Sequence, residues 1–176
     1  MDSQNAIWVE GADRCADNWQ SMVRTSKTWV YLANRALLED ECKLFTQDLQ
    51  AFTAGWQAHG KNLTSSWRMC GNRLLIIAVD ESAAPATGCS IDSSVAFLRE
   101  ASKTAVEPVD WFDRQSIIFQ DEKEWCQASN ASFWALRKAK RVTDDTNLVN
   151  TVYVNSEDCW GNVVIPFATS WHAEMW

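Results

Sequence analysis

Residues 63–79, Leu-Thr-Ser-Ser-Trp-Arg-Met-Cys-Gly-Asn-Arg-Leu-Leu-Ile-Ile-Ala-Val, decide the fold class. The segment 63–69 has the mixed polarity of a half-exposed strand, whereas 74–79 is apolar at every position. Gly71 and Asn72 between them favour a tight turn, because both residue types tolerate the left-handed backbone that such turns use. So short a connection joins only antiparallel neighbours, so the sequence predicts a β-hairpin and disfavours a parallel α/β sheet.

Patterns on both sides of this hairpin complete the predicted core. Residues 28–33 are mostly β-branched, aromatic or apolar, which is typical of a buried strand. Apolar residues between 38 and 56 recur at alternating steps of four and three, as in an amphipathic helix, and 90–103 repeats this pattern. A further strand is predicted at 116–119. The order strand, helix, strand, strand, helix, strand predicts an α+β protein with a ferredoxin-like, split βαβ core and an antiparallel sheet.

The remaining segments are expected to be additions to this core. A helix is predicted at 130–140, and extended segments at 148–154 and 163–167. Residues 1–27 mix polar residues with isolated tryptophans, and we interpret them as an N-terminal extension. The chain is therefore expected to contain this extension and a single α+β domain over residues 28–176.

The composition restricts the class of protein. Hydrophobic residues make up 47% of the 176 residues, enough to bury a core, and six glycines and three prolines are too few for a disordered chain. No apolar run approaches the roughly 18 residues of a membrane span, and the N-terminus does not resemble a secretory signal. A formal net charge of −7 disfavours nucleic acid and membrane surfaces as partners. We expect a soluble cytoplasmic protein whose six dispersed cysteines stay reduced.

Residues 88–94, Gly-Cys-Ser-Ile-Asp-Ser-Ser, are the first candidate site. They place a thiol, hydroxyls and backbone N–H groups at a predicted helix N-terminus, which can lower the pKa of a cysteine and hold an anion. Cys89 is the candidate nucleophile, and Ser90 and Ser93 are candidate ligand-binding residues. The alternative is ordinary capping by Ser90, with Asp92 complementing the helix dipole and Cys89 packed inward.

The predicted topology adds an imidazole to this site. In a split βαβ fold the end of the first helix lies beside the start of the second, which would bring His59 near Cys89. A thiol, an imidazole and a carboxylate from Asp92 or Asp80 are the groups needed for nucleophilic catalysis. Acidic residues could alternatively hold a divalent cation. We predict no metal site, because the chain has only two histidines and no Cys-x-x-Cys pair, and no motif assigns a cofactor.

Two other groups of residues are candidate ligand-binding sites. Asn34 and Arg35 after the first strand, with Arg73 from the hairpin, could bind a carboxylate or phosphate, although ion pairs are the alternative. Near the C-terminus, Trp171 and His172 could form a ligand-binding wall, or an aromatic tail docked on the sheet.

Several segments together suggest a family. They are 29–35 (Trp-Val-Tyr-Leu-Ala-Asn-Arg), 52–60 (Phe-x-x-x-Trp-x-Ala-His-Gly), 72–73 (Asn-Arg), 88–95 (Gly-Cys-Ser-Ile-Asp-Ser-Ser-Val), 112–114 (Phe-Asp-Arg) and 170–172 (Ser-Trp-His). In them the chain resembles a family of small bacterial proteins, frequent in Bacteroidetes, that often carry the label "ABC transporter ATPase". The resemblance covers residues 28–172 and implies no established activity. The chain contains neither a phosphate loop nor a Leu-Ser-Gly-Gly-Gln signature, so ATP hydrolysis is not expected.

Three functional hypotheses follow from these residues. The first is binding of a small anionic ligand or a protein partner at Cys89 and Ser90. The second is a thiol-dependent hydrolase or transferase, with Cys89 as nucleophile, His59 as base, and Asp92 or Asp80 orienting the base. The third is a Trp-rich protein-interaction module, which requires a contiguous exposed apolar patch containing several tryptophans.

Overall fold

This computed structural model describes residues 6–176, in which groups of strands are separated by helices. The strands are β1 (Asp13–Cys15), β2 (Lys27–Leu32), β3 (Gln57–Ala58), β4 (Lys61–Asn62), β5 (Thr64–Cys70), β6 (Leu74–Asp80), β7 (Ser116–Asp121), β8 (Glu124–Ser129), β9 (Asn147–Val149) and β10 (Val164–Pro166). The helices are α1 (Glu39–Gly55), α2 (Gly88–Thr104), α3 (Asn130–Lys138) and α4 (Trp171–Glu174). The predicted α+β class is confirmed.

The predicted hairpin is present at the centre of the first sheet, whose strand order is β1-β5-β6-β2. Trp67 of β5 lies opposite Ile77 of β6, and all strand pairs of the sheet are antiparallel. The connecting turn uses positive φ angles of 59° at Gly71 and 54° at Asn72. A Cβ atom at Gly71 would also overlap the indole ring of Trp8, so this turn requires glycine for two separate reasons.

The ferredoxin-like arrangement is not confirmed, because the strands expected in one sheet are divided between two. The strand predicted at 116–119 is β7, which belongs to a second antiparallel sheet of order β10-β9-β7-β8. The predicted central strand β2 lies at an edge of the first sheet, where Leu32 pairs with Leu74 of β6. The physical reason is local: β7 forms a hairpin with β8, whose polar sequence gave no strand signal.

The two sheets pack face to face, with helices on their outer faces. Ile76 of the first sheet and Ile118 of the second share one buried cluster. On the other face of the first sheet, Leu49 of α1 and Leu98 of α2 are fully buried in a second cluster. Phe133 of α3 covers the outer face of the second sheet. The layers therefore run helix, sheet, sheet, helix.

The described part of the predicted N-terminal extension, residues 6–27, is integrated into the core. Strand β1 extends the first sheet beside β5. Trp8 and Trp19 are buried in the cluster between the two sheets, and Trp19 stacks on Trp160 with ring centroids 4.6 Å apart. The boundary predicted at residue 27 therefore does not mark an edge of the packed core. Among residues 6–176, no helix combines the length and apolar character needed to cross a bilayer.

Candidate functional site

The end of α1 and the start of α2 meet, as predicted from the connection order. The indole N–H of Trp56, just after α1, donates to the carbonyl oxygen of Ser90 at 2.9 Å and to the Ser93 hydroxyl at 3.0 Å. We call this end of the helical layer the Cys89 rim; it consists of Trp56, His59, Cys89, Ser90 and Ser93. It contains all the residues of the first candidate site except the carboxylates.

Thr87 is the N-cap residue of α2, and Ser90 contributes to the cap from the third helical position instead of being the N-cap itself. The helix begins one turn earlier than Ser90 would require, so Ser90 occupies its third position. The Ser90 hydroxyl accepts from the backbone N–H of Thr87 at 2.7 Å, while Thr87 Oγ1 accepts from the N–H of Ser90. Ser90 is buried, and the Ser93 hydroxyl donates to the Ser90 carbonyl at 2.7 Å. Both hydroxyls are therefore hydrogen-bonded within the first turn of α2, and Ser90 is closed off from solvent.

Cys89 is exposed in the first turn of α2, so the alternative in which it packs inward is not observed. His59 is exposed in the turn between β3 and β4, where its φ is 50°. Within residues 6–176, the thiols that take part in hydrogen bonds are those of Cys42, Cys70 and Cys159. The rim therefore brings Cys89 and His59 to the same end of the layer without a hydrogen bond between them.

The carboxylates predicted to assist the thiol make no hydrogen bond to it either. Asp92 is exposed on α2. Asp80 Oδ1 accepts from the backbone N–H of Ser82 at 2.9 Å, which lowers the pKa of Asp80. No group of three His, Cys, Asp or Glu side chains in the described part of the chain could hold a metal ion. The rim therefore contains the exposed thiol of Cys89, which is not hydrogen-bonded to His59, Asp80 or Asp92.

Arg73 is a structural residue, which argues against its predicted role in ligand binding. Its guanidinium is 1% exposed and donates to the carbonyl oxygens of Ala33 (2.7 Å), Ile7 (2.8 Å) and Asn34 (3.0 Å), and to the side-chain oxygen of Gln127 (2.7 Å). Burial lowers the pKa of Arg73 to about 10. These bonds join the N-terminal segment, the first sheet and the second sheet at one point.

Arg35 forms the ion pair that the sequence left as an alternative. Its Nη1 and Nη2 atoms lie 2.7 and 2.8 Å from the two carboxylate oxygens of Glu41, and Nη2 also donates to the Glu107 carbonyl at 2.6 Å. The guanidinium lowers the pKa of Glu41, which also accepts from the N–H of Leu38 at 2.9 Å. Arg35 thus fixes the segment after α2 to the start of α1.

Asn34 fixes the same segment at a second point. Its N–H donates to the Asp110 carbonyl at 2.8 Å, and its side-chain oxygen accepts from the Asp110 N–H at 2.9 Å. The two predicted ligand-binding residues Asn34 and Arg35 therefore both hold residues 105–111 in position.

The C-terminal residues form the docked aromatic tail, not an open wall. His172 is buried beside the rings of Trp171 (4.2 Å between centroids) and Phe133 (5.6 Å). Burial lowers the pKa of His172 to about 4. Of the eleven tryptophans, only Trp176 is exposed. The patch of several exposed tryptophans that an interaction module of the predicted kind requires is therefore not observed in residues 6–176.

An apolar groove between α1 and α2 lies at the opposite end of the helical layer from the Cys89 rim. Its volume is about 520 Å³, and Phe45 stacks on Trp111 with centroids 4.7 Å apart. Two of its apolar side chains are largely open to solvent, Leu44 (64% exposed) and Val106 (84%). We call it the α1/α2 groove; its apolar lining consists of Leu37, Leu38, Leu44, Phe45, Ala101, Ala105, Val106, Val109 and Trp111.

The groove was not predicted from the sequence, in which Leu44 is the one unusual residue of its lining. The apolar stripe of α1 includes Cys42, Phe45 and Leu49, which are buried. Leu44 lies off this stripe and is nonetheless apolar. Single exposed apolar residues are common on protein surfaces, so Leu44 becomes informative only together with Val106, the second exposed apolar residue that lines the groove.

All four charged residues that line the α1/α2 groove are acidic. Glu41 is paired with Arg35 and Glu39 with Arg14. Asp40 lies 3.6 Å from Lys43 in an exposed pair, and Asp48 has no ion pair within residues 6–176. Asp48 is therefore the lining carboxylate whose charge no basic side chain of the described residues offsets, and it favours a cationic group at the groove.

No protein-family model matches the chain, and neither a curated protein nor a solved structure matches it significantly. The resemblance to a family of small bacterial proteins thus stays a prediction, and the function must be argued from the two ends of the helical layer.

Proposed function

We propose that the chain is a binding protein that takes an apolar group of its partner into the α1/α2 groove. The observation that carries the proposal is the exposure of Leu44 and Val106 in a groove that is also lined by the stacked rings of Phe45 and Trp111. Apolar side chains left in water beside an apolar floor gain free energy when a partner covers them, by about 25 cal/mol per Å².

The size and construction of the groove support this proposal. A volume of about 520 Å³ falls in the range of roughly 300–1,000 Å³ that is typical of ligand sites, which are mostly apolar with few polar groups. One wall is helix α1, and the other is the segment 105–111, which Arg35 and Asn34 hold in place. A site with fixed walls loses little conformational entropy on binding.

The neutral fluorescent probe N-phenyl-1-naphthylamine tests this proposal. We expect saturable binding to the full chain, weakened about five- to tenfold by Leu44→Gln and by Val106→Gln, since each removes part of the apolar contact. The control is Val154→Gln, at a position that is 78% exposed but outside the groove. Equal affinities in all three variants would overturn the proposal.

The exposure of Cys89 favours a second candidate function, in which the rim binds a small anion or performs thiol chemistry. Cys89 would be the nucleophile, His59 the base, and Asp92 or Asp80 the orienting carboxylate. The test is the rate of iodoacetamide alkylation of Cys89 at neutral pH, with Cys89 of the urea-unfolded chain as the reference. A reactive rim predicts that Cys89 labels much faster in the folded chain and that His59→Gln slows it. Similar rates in the folded and unfolded chains would remove this candidate.

A further inference from the structure

The charges around the α1/α2 groove define its partner more closely, an inference that rests on the function proposed above. We infer that the occupant is an amphipathic helix of a partner protein, with basic residues about two turns apart on either side of its apolar face. The acidic lining residues are placed at both ends of the apolar floor along α1: Glu39 and Asp40 at the first turn, and Asp48 beyond Phe45.

The spacing of these carboxylates sets the spacing of the complementary cations. Asp40 and Asp48 are eight residues apart on one helix, which corresponds to about 12 Å at a rise of 1.5 Å per residue. A single cation cannot contact both ends. Lysine or arginine residues at positions i and i+8 of a partner helix span the same distance, with apolar residues between them that face Leu44 and Phe45.

The walls of the groove favour a helix over an extended segment. One wall of the groove is α1, and the other is the segment 105–111, which contains no strand. The backbone of this segment is already bonded at three residues, the Glu107 carbonyl to Arg35, the Val109 N–H to Ser102 and both groups of Asp110 to Asn34, so the groove offers no free strand edge. An extended peptide buried there would leave its N–H and C=O groups without partners, whereas a helix satisfies its own. A basic helix is also consistent with the net charge of −7 of the chain.

Asp48 is the residue that the cation of the partner is expected to contact. Glu41 and Glu39 already have arginine partners, and Asp40 lies beside Lys43. Asp48 has no basic partner within the described residues and lines the groove. Replacing Asp48 therefore tests whether the groove recognises the charge of its partner or only its apolar surface.

Three designed helical peptides, each about 15 residues long, test the inference against the full chain. They share one leucine face and carry lysine, glutamine or glutamate at i and i+8. We expect the lysine peptide to bind about three- to tenfold more tightly than the glutamine peptide, and the glutamate peptide to bind most weakly. Asp48→Asn should weaken binding of the lysine peptide about two- to fivefold and leave the glutamine peptide unchanged. The control Asp145→Asn, exposed and outside the groove, should change neither.

Several outcomes would overturn the inference while leaving the proposed function intact. They are equal binding of the three peptides, tighter binding of a proline-containing extended peptide with the same residues, or equally tight binding of dodecyltrimethylammonium, which carries one cation. Failure of both the peptides and the neutral naphthylamine probe to bind would instead overturn the proposed function itself.

Discussion

The two ends of the helical layer use their polar residues in opposite ways. At the Cys89 rim, the hydroxyls of Ser90 and Ser93 are bonded within the first turn of α2, and one thiol remains exposed among them. At the α1/α2 groove, Arg35 is bonded to protein atoms, and what remains exposed is apolar surface with Asp48, which has no ion pair within residues 6–176. Residue types that suggest chemistry therefore point to a site only where the fold leaves their polar atoms unused.

The largest expected effect is that of replacing Arg73, and it tests whether this arginine has a structural role or a ligand-binding role. Arg73→Met should lower the free energy of unfolding by about 3–5 kcal/mol, because it leaves buried carbonyl oxygens without donors. Urea denaturation measures this. The exposed Arg114→Met is the control, with an expected change below about 0.5 kcal/mol. A change in the free energy of unfolding as small as that of the control would contradict the structural role and favour a ligand-binding role for Arg73.

The buried His172 gives the next largest effect, through pH. The unfolded chain takes up a proton near pH 6.5, but the folded chain does so only near pH 4, because burial lowers the pKa of His172 to about 4. Stability is therefore complete above pH 6.5 and falls by about 3 kcal/mol as the pH is lowered to about 4. His172→Phe should flatten this decline in pH-dependent urea denaturation, whereas the exposed His59→Gln should retain it. An unchanged slope in His172→Phe would contradict the docked position of the tail.

The Arg35–Glu41 pair should have an intermediate effect on both stability and binding. Glu41→Gln should lower the free energy of unfolding by about 1–3 kcal/mol, since Glu41 is buried and bonded at both oxygens. The lowered pKa of Glu41 means that this contribution exists above the unfolded pKa and disappears as the pH falls through the folded one. The variant should also bind the naphthylamine probe more weakly, because residues 105–111 lose an anchor. If Glu41→Gln leaves the affinity for the probe unaltered, the Arg35–Glu41 pair is not needed to hold the wall of the groove.

The smallest effects distinguish capping from reactivity at the Cys89 rim. Thr87→Ala should lower the free energy of unfolding by about 1 kcal/mol through loss of the helix cap. Cys89→Ser should change it by less than about 0.5 kcal/mol, because Cys89 is exposed. Thermal denaturation of both variants checks the difference. A larger loss from Cys89→Ser would mean that the thiol is structural and would weaken the second candidate function.

The secondary structure that depends on local patterns was predictable from the sequence. The hairpin at 63–79, helix α1 and helix α2 lie within one or two residues of their predicted ranges, because their periodicity and turn residues are local signals. The assignment of β7 to a second sheet was not predictable in this way. It depends on pairing with the polar strand β8 and on packing against residues far away in the chain.

The candidate site shows the same division between local and long-range information. That the Cys89 rim would join the end of α1 to the start of α2 followed from the order of the elements. The structural use of Arg73 did not, because its acceptors include Ile7 and Gln127, more than 50 residues away on either side. The groove was not predictable from the sequence, in which Leu44 is a single apolar residue on the polar face of α1.

Contacts between a bound probe and named methyl groups test the central claim most directly. In the complex with N-phenyl-1-naphthylamine, nuclear Overhauser effects are predicted from the probe's aromatic protons to the methyl groups of Leu44 and Val106. Contacts confined to Val154, or to Ile91 beside the Cys89 rim, would contradict the assignment of the α1/α2 groove as the binding site.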